Sequence, residues 1–433
     1  MRLKISYSSS YYLYLQNTET ITPVKLVIDI IFKANEDLQT FKPLCIKTRG
    51  IFLMQVIIYP SVATLMNDEI HIPLHIHAYN RFEFERNGNL PTENCVSKLQ
   101  RAKIFGKCIV NGMKLLKQQR MKMNDILLEI GGYIDVVQIE NDKCFKQTIV
   151  LDYHGSDIIM IKATVGNEIF YGESCVYPDN GYAVISDIDD TIRVADGYDI
   201  YQFLSSSLYY NYTPVPGMSD VYNKWLKINN CRFYYISASP DQLYSEFSNF
   251  SKIHQFPKGQ YMGRHFRWYY NDSQVSHYAT IQKLMPLEGN LVVNEHQQEV
   301  QNSKEIQQSS DDKDMSDRIR HILTDHDKEI LVYNHKYLSI YEVFDSHPQL
   351  IFVLVGDDTA HDPYIYAKIY SHFPKQVKMI YIRHIIKNNH LTTKSAVCNK
   401  EVQNLKDAKM VLRSTPHKIF TDPIELQINF NSF

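Results

Sequence analysis

Ala183-Val184-Ile185-Ser186-Asp187-Ile188-Asp189-Asp190-Thr191-Ile192 is the stretch that decides the fold of the second half of the chain. Its first residues are apolar and rich in β-branched side chains, and Asn180-Gly181 precedes them, so they predict a buried strand. Carboxylates and a hydroxyl follow at once. Burying these acids would be too costly unless they face water or bind a cation. Ligands of open parallel sheets bind at the carboxyl ends of strands, so the sequence predicts a site here.

The spacing of Asp187 and Asp189 suggests phosphate chemistry. The two acids flank one residue, so in an extended chain their side chains project to the same side. Mg²⁺ typically takes one or two carboxylates, water and a phosphate oxygen. One carboxylate can attack phosphorus while its neighbour handles the proton of the leaving group. The alternative is an acidic turn, since Asp is common in turns.

The composition is that of an ordinary globular protein. The chain has 433 residues, 44% of them hydrophobic and 22% charged, which allows two or three domains with ample core. The formal net charge of -2 provides no overall attraction to nucleic acid or to an anionic membrane. We therefore expect no nucleic-acid partner, and any attraction to a membrane must come from a local patch.

Cysteine usage and hydropathy bear on the compartment. The seven cysteines are scattered and include no C-x-x-C pair, which argues against a disulfide framework and against a zinc site. We expect reduced thiols in the cytosol. The first residues lack the apolar core of a signal peptide, and no run approaches the ~18 consecutive apolar residues of a membrane span. The sequence thus predicts a cytoplasmic protein that is soluble or peripherally associated with a membrane.

Residues 1–178 predict a β-rich N-terminal domain. Short β-prone runs separated by turn residues occur at 24–31, 55–59, 148–151 and 158–161. Runs of this kind favour an all-β sandwich or an open barrel.

Three histidines of this domain, His71, His75 and His77, share the parity of one strand. They can point to one face, and because imidazole suits zinc, a three-histidine metal site is one interpretation. The simpler interpretation is an amphipathic strand, with the intervening aliphatic residues facing inward and the histidines in solvent. We expect the simpler arrangement and assign no metal ligand here.

Residues 98–122 form one strongly basic segment. It contains eight lysines and arginines, and there is no acid from Asn94 through Asn124. Apolar residues interleave with the charges, and each basic residue near an anionic lipid surface can contribute ~1 kcal/mol. The segment therefore predicts contact with an anionic membrane surface. The alternative is a solvated loop or exposed face.

Residues 179–433 change to alternating strands and helices, which is typical of a doubly wound α/β domain with a mostly parallel sheet. Buried strands are predicted at 182–186, 232–236, 351–355 and 377–382, and a helix at 218–226. Residues 288–329 are rich in Gln, Asn, Ser, Asp and Lys and predict a disordered insertion. Apolar residues between 419 and 428 predict an edge element.

Two later strand ends supply groups that phosphate chemistry at Asp187 needs. Ser237 follows the strand at 232–236 and offers a hydroxyl at the same edge of the sheet. The strand at 351–355 ends in Gly356-Asp357-Asp358-Thr359-Ala360-His361-Asp362, whose glycine allows a sharp turn and whose acids can reach back towards the same cation. The sequence thus predicts that acids far apart in the chain converge.

A lysine is the remaining component. Lys336 stands at the start of a predicted helix, with Asn334 as its cap, and a cation there can balance carboxylates and phosphate. Lys258 is a rival for this role. Two apolar strands that each end in acids, with a hydroxyl strand end and a lysine between them, favour a phosphate site over unrelated turns.

The order of these motifs resembles the haloacid dehalogenase superfamily, whose members commonly run Mg²⁺-dependent phosphoryl transfer through an aspartyl phosphate. More narrowly, the chain resembles the actin-patch phosphatidate phosphatase family, over about 172–386 outside the insertion. The motifs are Val184-Ile185-Ser186-Asp187-Ile188-Asp189-Asp190-Thr191-Ile192, Pro216-Gly217-Met218, Tyr235-Ile236-Ser237-Ala238-Ser239-Pro240, Gln242-Leu243-Tyr244, Phe256-Pro257-Lys258-Gly259, Val355-Gly356-Asp357 and Asp362-Pro363-Tyr364-Ile365-Tyr366.

The resemblance implies a role for each site residue. Asp187 is the nucleophile, and Asp189 is the general acid and base, oriented by the hydroxyl of Thr191. Ser237 and Lys336 hold the phosphoryl group. The residues implied for Mg²⁺ are Asp187, Asp189 through its carbonyl, Asp357, and either Asp358 or Asp362. The last two stay as alternatives, because Asp358 stands where the resemblance leads us to expect a small residue.

These observations predict a Mg²⁺-dependent phosphatase that converts phosphatidate to diacylglycerol at a membrane surface. One alternative is the same chemistry on a soluble phosphate ester or a phosphoprotein. Another is a phosphatidate-binding module without activity, against which the presence of Asp189 argues. Cytoskeletal or endocytic protein partners are implied by the family resemblance only.

Overall fold

The computed structural model describes residues 2–7, 9–14, 53–81, 86–88, 98–116, 123–139, 144–197, 200–264, 325–386 and 396–432. The strand predicted at 24–31 lies outside these residues, as do positions 288–324 of the predicted insertion. The predicted division into domains at 178/179 therefore stays a prediction.

The first part of the chain is β-rich, as predicted. A hairpin pairs β1 (Arg2–Tyr7) with β2 (Ser9–Tyr14) in antiparallel register. The strands that follow are β3 (Leu53–Ile58), β4 (Ser61–Met66), β5 (Glu69–Arg81), β6 (Met123–Ile130), β7 (Tyr133–Ile139), β8 (Phe145–Asp152), β9 (Ile158–Val165) and β10 (Glu168–Pro178). They form one sheet in the order β3-β5-β4-β10-β9-β6-β7, with β8 paired to β5. Helix α1 (Lys98–Leu116) connects β5 to β6 in the chain.

One apolar cluster fills the inside of this eight-stranded sheet. Along β9, Ile159 and Ile161 are buried while Met160 between them is exposed, which is the alternation expected of a half-buried strand. The cluster takes side chains from β3 through β9, including strands that are not neighbours in the sheet. Apart from the β1–β2 hairpin, the described strands of this region thus form a single sheet around one core, which fits an open barrel better than a sandwich.

The second sheet is parallel. Its strands are β11 (Gly181–Asp187), β14 (Arg232–Pro240), β15 (Gly259–Arg264), β16 (Leu350–Asp357), β17 (Val377–Arg383) and β18 (His417–Phe420). Their order is β15-β14-β11-β16-β17-β18, and every neighbouring pair is parallel. The short strands β12 (Arg193–Val194) and β13 (Thr213–Pro214) pair with each other outside it. The four strands predicted in this half are confirmed, and β18 is the predicted edge element of the tail.

The helices of this half are α2 (Ile200–Leu208), α3 (Met218–Asn229), α4 (Tyr244–Ile253), α5 (Asp325–Ser346), α6 (Asp362–His372) and α7 (Ala396–Leu412). The helix predicted at 218–226 is therefore confirmed as α3. Lys336 lies inside α5, so the prediction that Asn334 caps that helix is wrong; neither Gly nor Pro interrupts 325–334, and one Asn costs a helix little. No helix in the described ranges combines the length and apolarity needed to cross a bilayer.

The two sheets meet where β5 ends, and this contact corrects one expectation. The aliphatic residues of β5 are buried, as predicted, but His77 is only 1% exposed, so the prediction that the histidines face solvent is wrong for this residue. Its Nδ1 lies 3.5 Å from a carboxylate oxygen of Asp241, in the segment that follows β14. The ring of Tyr59, next to β3, also contacts the ring of Tyr244 there. The parallel half of the chain thus covers the end of β5.

Helix α3 ties the tail of the chain to the parallel sheet through Trp225. The indole is fully buried, stacks on Tyr222 with 5.2 Å between ring centroids, and meets Phe430 edge-on. Its Nε1 donates a hydrogen bond to the carbonyl of Gln427 at 2.7 Å. The tail is therefore held by apolar burial and a hydrogen bond at the same side chain.

Replacing Trp225 with Ala should lower the free energy of unfolding by about 3–5 kcal/mol, because it opens a large cavity and leaves the carbonyl of Gln427 without the indole. Urea denaturation of the full chain measures the change. Ile228→Ala on the same helix is the control: Ile228 is 53% exposed, and the expected loss is below about 0.5 kcal/mol. Equal losses in the two variants would contradict this packing.

Candidate active site

Two acids meet at the carboxyl edge of the parallel sheet because their strands are neighbours. Asp187 ends β11 and Asp357 ends β16, and these strands pair in parallel with Ser186 opposite Val355. Both carboxylates are almost completely buried. Residues 170 positions apart in the chain are thus brought to one place by strand register alone.

Lys336 joins this pair from helix α5. Its Nζ donates to Oδ1 of Asp187 at 2.6 Å and to Oδ1 of Asp362 at 2.7 Å, and the lysine is buried. Lys258, the rival from the sequence, is mostly exposed and pairs with Glu173 at 2.7 Å. The structure therefore places Lys336, and not Lys258, beside the acids.

Gly356 makes room for the third acid. Asp362 is the first residue of α6, and a Cβ atom at position 356 would lie 2.4 Å from its Oδ2, so a larger residue there would displace it. The same Oδ2 accepts a hydrogen bond from the backbone N–H of Asp357 at 3.3 Å. Thr191 contributes its hydroxyl, which lies 3.1 Å from Oδ2 of Asp187 and 3.4 Å from Oδ2 of Asp357.

The three carboxylates have the character of a cation site. Asp187, Asp357 and Asp362 each offer an oxygen within 4.8 Å of the others. Burial raises the pKa of Asp187 to about 7, and repulsion from Asp362 and Asp189 adds to this effect. The nearby charge of Lys336 lowers the pKa but does not outweigh them. Burial and the neighbouring carboxylates also raise the pKa of Asp357, whereas the contact with Asp187 raises the pKa of Lys336 despite its burial, so the lysine stays charged. One ammonium faces three acids, and a divalent cation fits the excess negative charge.

Asp189 lies beside this cluster and has different partners. Its Oδ1 accepts from two donors of Arg193, Nε at 2.8 Å and Nη2. Its Oδ2 accepts from the hydroxyls of Ser239 at 2.9 Å and Ser237 at 3.3 Å. Burial alone would raise the pKa of Asp189, but Arg193 and Ser239 outweigh it and hold the pKa below its usual value. The carboxylate is thus kept ionised.

Arg193 is itself held in a fixed position. It is buried, its guanidinium lies 3.9 Å from the ring centroid of Tyr212, and it donates to the carbonyl of Ser206 at 3.3 Å and to Oγ of Ser207 at 3.0 Å, both in α2. The loop before it turns at Asp190, which adopts the left-handed conformation at φ 60°. These contacts fix the direction from which Arg193 reaches Asp189.

The side chain of Asp190 closes this loop. Its two oxygens accept hydrogen bonds from three successive backbone N–H groups, those of Ala195, Asp196 and Gly197, at 2.7–2.9 Å. The third acid of the decisive stretch is therefore an organiser of the loop.

Two of the sequence expectations differ from this geometry. Asp358 is buried, but its carboxylate faces Nδ1 of His384 and the backbone N–H of Ile385, outside the carboxylate cluster. Of the alternatives Asp358 and Asp362, the structure brings Asp362 to the site. The hydroxyl of Thr191 contacts Asp187 and not Asp189, because the turn at Asp190 carries the next residue back under the end of β11.

Sequence reasoning missed two residues of the site. Arg193 follows Asp189 by four positions, a separation that brings side chains together in a helix but carries no such meaning in a loop. Ser239 lies in a strand end whose first hydroxyl, Ser237, had a role by resemblance. The sequence did not indicate that the hydroxyl of Ser239 would lie closer to Asp189 than the hydroxyl of Ser237 does.

Comparison with known families gives one match in this half of the chain. The family model for the phosphatidate phosphatase APP1 catalytic domain matches residues 182–291 and 307–384. These ranges include all the residues described above in the carboxylate cluster and around Asp189, together with Asp358 and His384, and the chain is similar to that catalytic domain there. A search among curated proteins finds no match.

Replacing Arg193 with Gln should destabilise the protein in a pH-dependent way. A carboxyl whose pKa is lowered by folding adds stability above its unfolded pKa of about 3.9, and this is lost as the pH falls through the folded value. The difference in unfolding free energy between wild type and Arg193→Gln should therefore be about 3 kcal/mol near neutral pH and shrink in acid.

Urea denaturation between neutral and acid pH measures this difference. Lys224→Gln, an exposed change on α3, is the control and should show no such dependence. A difference between wild type and Arg193→Gln that stays constant down to acid pH would show that Arg193 does not hold Asp189 ionised.

Proposed function

We propose that the chain is a Mg²⁺-dependent phosphatidate phosphatase, which hydrolyses phosphatidate to diacylglycerol and phosphate through an aspartyl phosphate on Asp187. The observation that carries this proposal is the contact of Lys336 with Asp187 and Asp362 at the end of β11, within the ranges that the family model matches. A nucleophilic carboxylate beside a fixed cation is what phosphoryl transfer to a protein requires.

The strand order supports a doubly wound fold of the haloacid dehalogenase type. From β11 the chain moves outward to β14 and β15, and then returns to β16 on the other side of β11. In doubly wound sheets ligands bind at the carboxyl ends of the strands where the order reverses. Asp187 and Asp357 occupy that position.

In the first chemical step the carboxylate of Asp187 attacks phosphorus, and the bond between phosphorus and the diacylglycerol oxygen breaks. Lys336 and the hydroxyl of Ser237 hold phosphoryl oxygens, so they stabilise the charge that develops there. Ser237 is buried at the end of the parallel run of β14, and the backbone N–H of Ser239 donates to its oxygen at 2.9 Å, which fixes its side chain.

Asp189 moves the proton in both steps. It gives a proton to the departing diacylglycerol oxygen, and it then takes one from the water that attacks phosphorus of the aspartyl phosphate and releases phosphate from Asp187. In the free protein Arg193 lowers the pKa of Asp189 and so favours the ionised carboxylate, which can accept a proton. A phosphate dianion nearby raises the pKa of a carboxyl group, so bound substrate favours the protonated form that the first step needs.

Asp187, Asp357 and Asp362 are the side chains that would hold Mg²⁺, and their excess negative charge fits that ion. Bound there, the ion would neutralise phosphate charge. The residues of the chain would supply the nucleophile, the proton transfers and the position of the substrate.

Helix α1 supports recruitment to an anionic membrane surface. Ile104 and Cys108 pack against Leu204 and Leu208 of α2, whereas Lys103 and Lys107 of α1 are exposed. Helix α2 in turn contacts Arg193 through Ser206 and Ser207. The exposed lysines are thus carried by a helix only one layer away from the residues that position Asp189. Residues 117–122 of the predicted basic segment lie outside the described residues.

With Mg²⁺ present, the full chain should release phosphate from phosphatidate in mixed micelles faster than from a soluble aryl phosphate. Asp187→Asn should lose about 10³-fold or more of either activity, because the amide cannot act as the nucleophile. Its thermal stability should stay close to that of wild type, since Lys336 keeps Asp362. Asp220→Asn, at an exposed acid on α3, is the matched control and should keep full activity.

The outcomes separate the alternatives. A preference for the aryl phosphate would indicate a phosphatase of soluble esters. Phosphatidate binding without turnover in wild type would indicate a binding module, and turnover retained by Asp187→Asn would refute the assignment of the nucleophile.

Replacing Lys103 and Lys107 together with Gln should weaken binding to anionic vesicles. At about 1 kcal/mol for each basic residue, the expected loss is roughly 30-fold at low salt and less at high salt. Co-sedimentation with phosphatidate-containing vesicles measures it. The pair Lys224→Gln and Lys227→Gln on α3 removes the same charge from another exposed face and should bind like wild type. Equal weakening by both pairs would point to net charge alone.

A further inference from the structure

Three side chains of the kinds that bind metal, two histidines of β5 and one cysteine next to β8, lie together outside the carboxylate cluster. His75 and His77 are two residues apart on that strand, so they share a face. Ile76 pairs with Phe145, so the next position of the register places Cys144 opposite His77. A nitrogen of each histidine and the sulfur of Cys144 lie within 4.8 Å of one another.

The distance between the two imidazoles is that of two ligands of one ion. Nε2 of His75 lies 3.2 Å from Nε2 of His77. A tetrahedral zinc ion with Zn–N bonds of about 2.0–2.1 Å holds its two imidazole nitrogens about 3.3 Å apart. A direct N–H···N hydrogen bond between the two imidazoles would account for the same distance. Such a hydrogen bond would not involve the thiol of Cys144, whereas a shared metal ion would bind it. The thiol therefore separates the two interpretations.

The second ring nitrogen of His77, Nδ1, has the kind of hydrogen-bond partners that metal-bound histidines have. Its Nδ1 lies 2.7 Å from the hydroxyl of Tyr79, 3.1 Å from that of Tyr59 and 3.5 Å from a carboxylate oxygen of Asp241. A carboxylate or another oxygen at the second ring nitrogen keeps the proton there and leaves the first nitrogen free to bind metal. The ring of Tyr59 also stacks on His75, with 4.6 Å between centroids. Both imidazoles are thus oriented in advance.

The three side chains differ in their exposure to solvent. His77 is buried, whereas His75 and Cys144 are partly exposed, so an ion can enter from solvent without unfolding the sheet. Imidazole and thiolate are ligands that zinc binds well and that Mg²⁺ and Ca²⁺ do not prefer. The donor set therefore differs in kind from the all-carboxylate cluster.

We propose that His75, His77 and Cys144 bind a zinc ion, with water as the fourth ligand. The ion ties β5 to the start of β8. It also stabilises the contact between the two sheets, because it fixes the imidazole of His77, whose Nδ1 faces Asp241 in the segment after β14. The site uses none of the residues assigned to the reaction proposed above.

Cobalt and zinc binding to the full chain test this proposal. The protein is stripped with chelator and kept in excess Mg²⁺, which occupies the carboxylates, and Co²⁺ is then added. One equivalent should produce the near-ultraviolet absorption of a cobalt–thiolate bond, and zinc should displace it. Cys144→Ser should abolish that absorption and weaken zinc binding by about 10²-fold or more, and His75→Gln should weaken it similarly.

Two matched variants serve as controls. Cys175→Ser removes another partly exposed thiol, and His71→Gln removes a histidine of the same face of β5; both lie outside the cluster and should bind metal like wild type. Circular dichroism of the metal-free variants checks their fold. Absence of the thiolate absorption in wild type, or its persistence in Cys144→Ser, would overturn the proposal.

X-ray absorption of the zinc-loaded wild-type chain gives a readout that needs no variant. Scattering from one sulfur and from imidazole nitrogens is expected. A shell of oxygen and nitrogen alone would refute the assignment of Cys144. Zinc should also raise the thermal midpoint of wild type and not that of Cys144→Ser, because only a ligand that binds the folded state stabilises it.

Discussion

The ammonium group of Lys336, buried between Asp187 and Asp362, is the interaction on which the rest of the site depends. A buried ion without partners is strongly destabilising, and so is a group of buried carboxylates without a cation. The lysine comes from α5, and the acids come from the end of β11 and the start of α6. One cation therefore holds together three elements that are far apart in the chain, and it faces more carboxylates than it can neutralise.

The sequence predicted the meeting of Asp187 and Asp357, because each of these acids follows a recognisable strand. Asp187 and Asp357 each follow an apolar run with the composition of a buried parallel strand, and parallel neighbours present their carboxyl ends at one edge. Lys336 and Asp362 were found by the order of motifs. The strand β15 was missed because Gly259, Gln260 and Gly263 interrupt any apolar pattern. It forms as an edge strand through backbone pairing with β14, which leaves little trace in side-chain hydrophobicity.

Contacts set by tertiary packing could not be predicted from spacing. Arg193 reaches Asp189 because Asp190 takes a left-handed conformation and Tyr212 supports the guanidinium. Asp358 turns to His384, 26 residues later, so the choice between Asp358 and Asp362 needed coordinates. His77 follows the parity of a solvent-facing strand, yet the segment after β14 covers it. In each case the deciding partner comes from an element that sequence periodicity does not place.

The covered part of β5 connects the N-terminal sheet to the parallel half of the chain. Tyr59 and Tyr79 belong to the same apolar cluster as Trp225 and Phe233, so the two halves share core as well as hydrogen bonds. Asp241 follows the strand end that carries Ser237 and Ser239, and His77 faces it. The contact thus lies close in the chain to the hydroxyls that hold Asp189.

The central claim is that Asp187 becomes phosphorylated at a site built on Lys336. Single-turnover reaction of the full chain with phosphatidate radiolabelled in its phosphate, stopped with acid and mapped by peptide analysis, tests it most directly. The account predicts a transient, base-labile label on the peptide that contains Asp187, formed only when Mg²⁺ is present and absent in Asp187→Asn. Phosphate release with no labelled protein at any time, or a label on another residue, would contradict it.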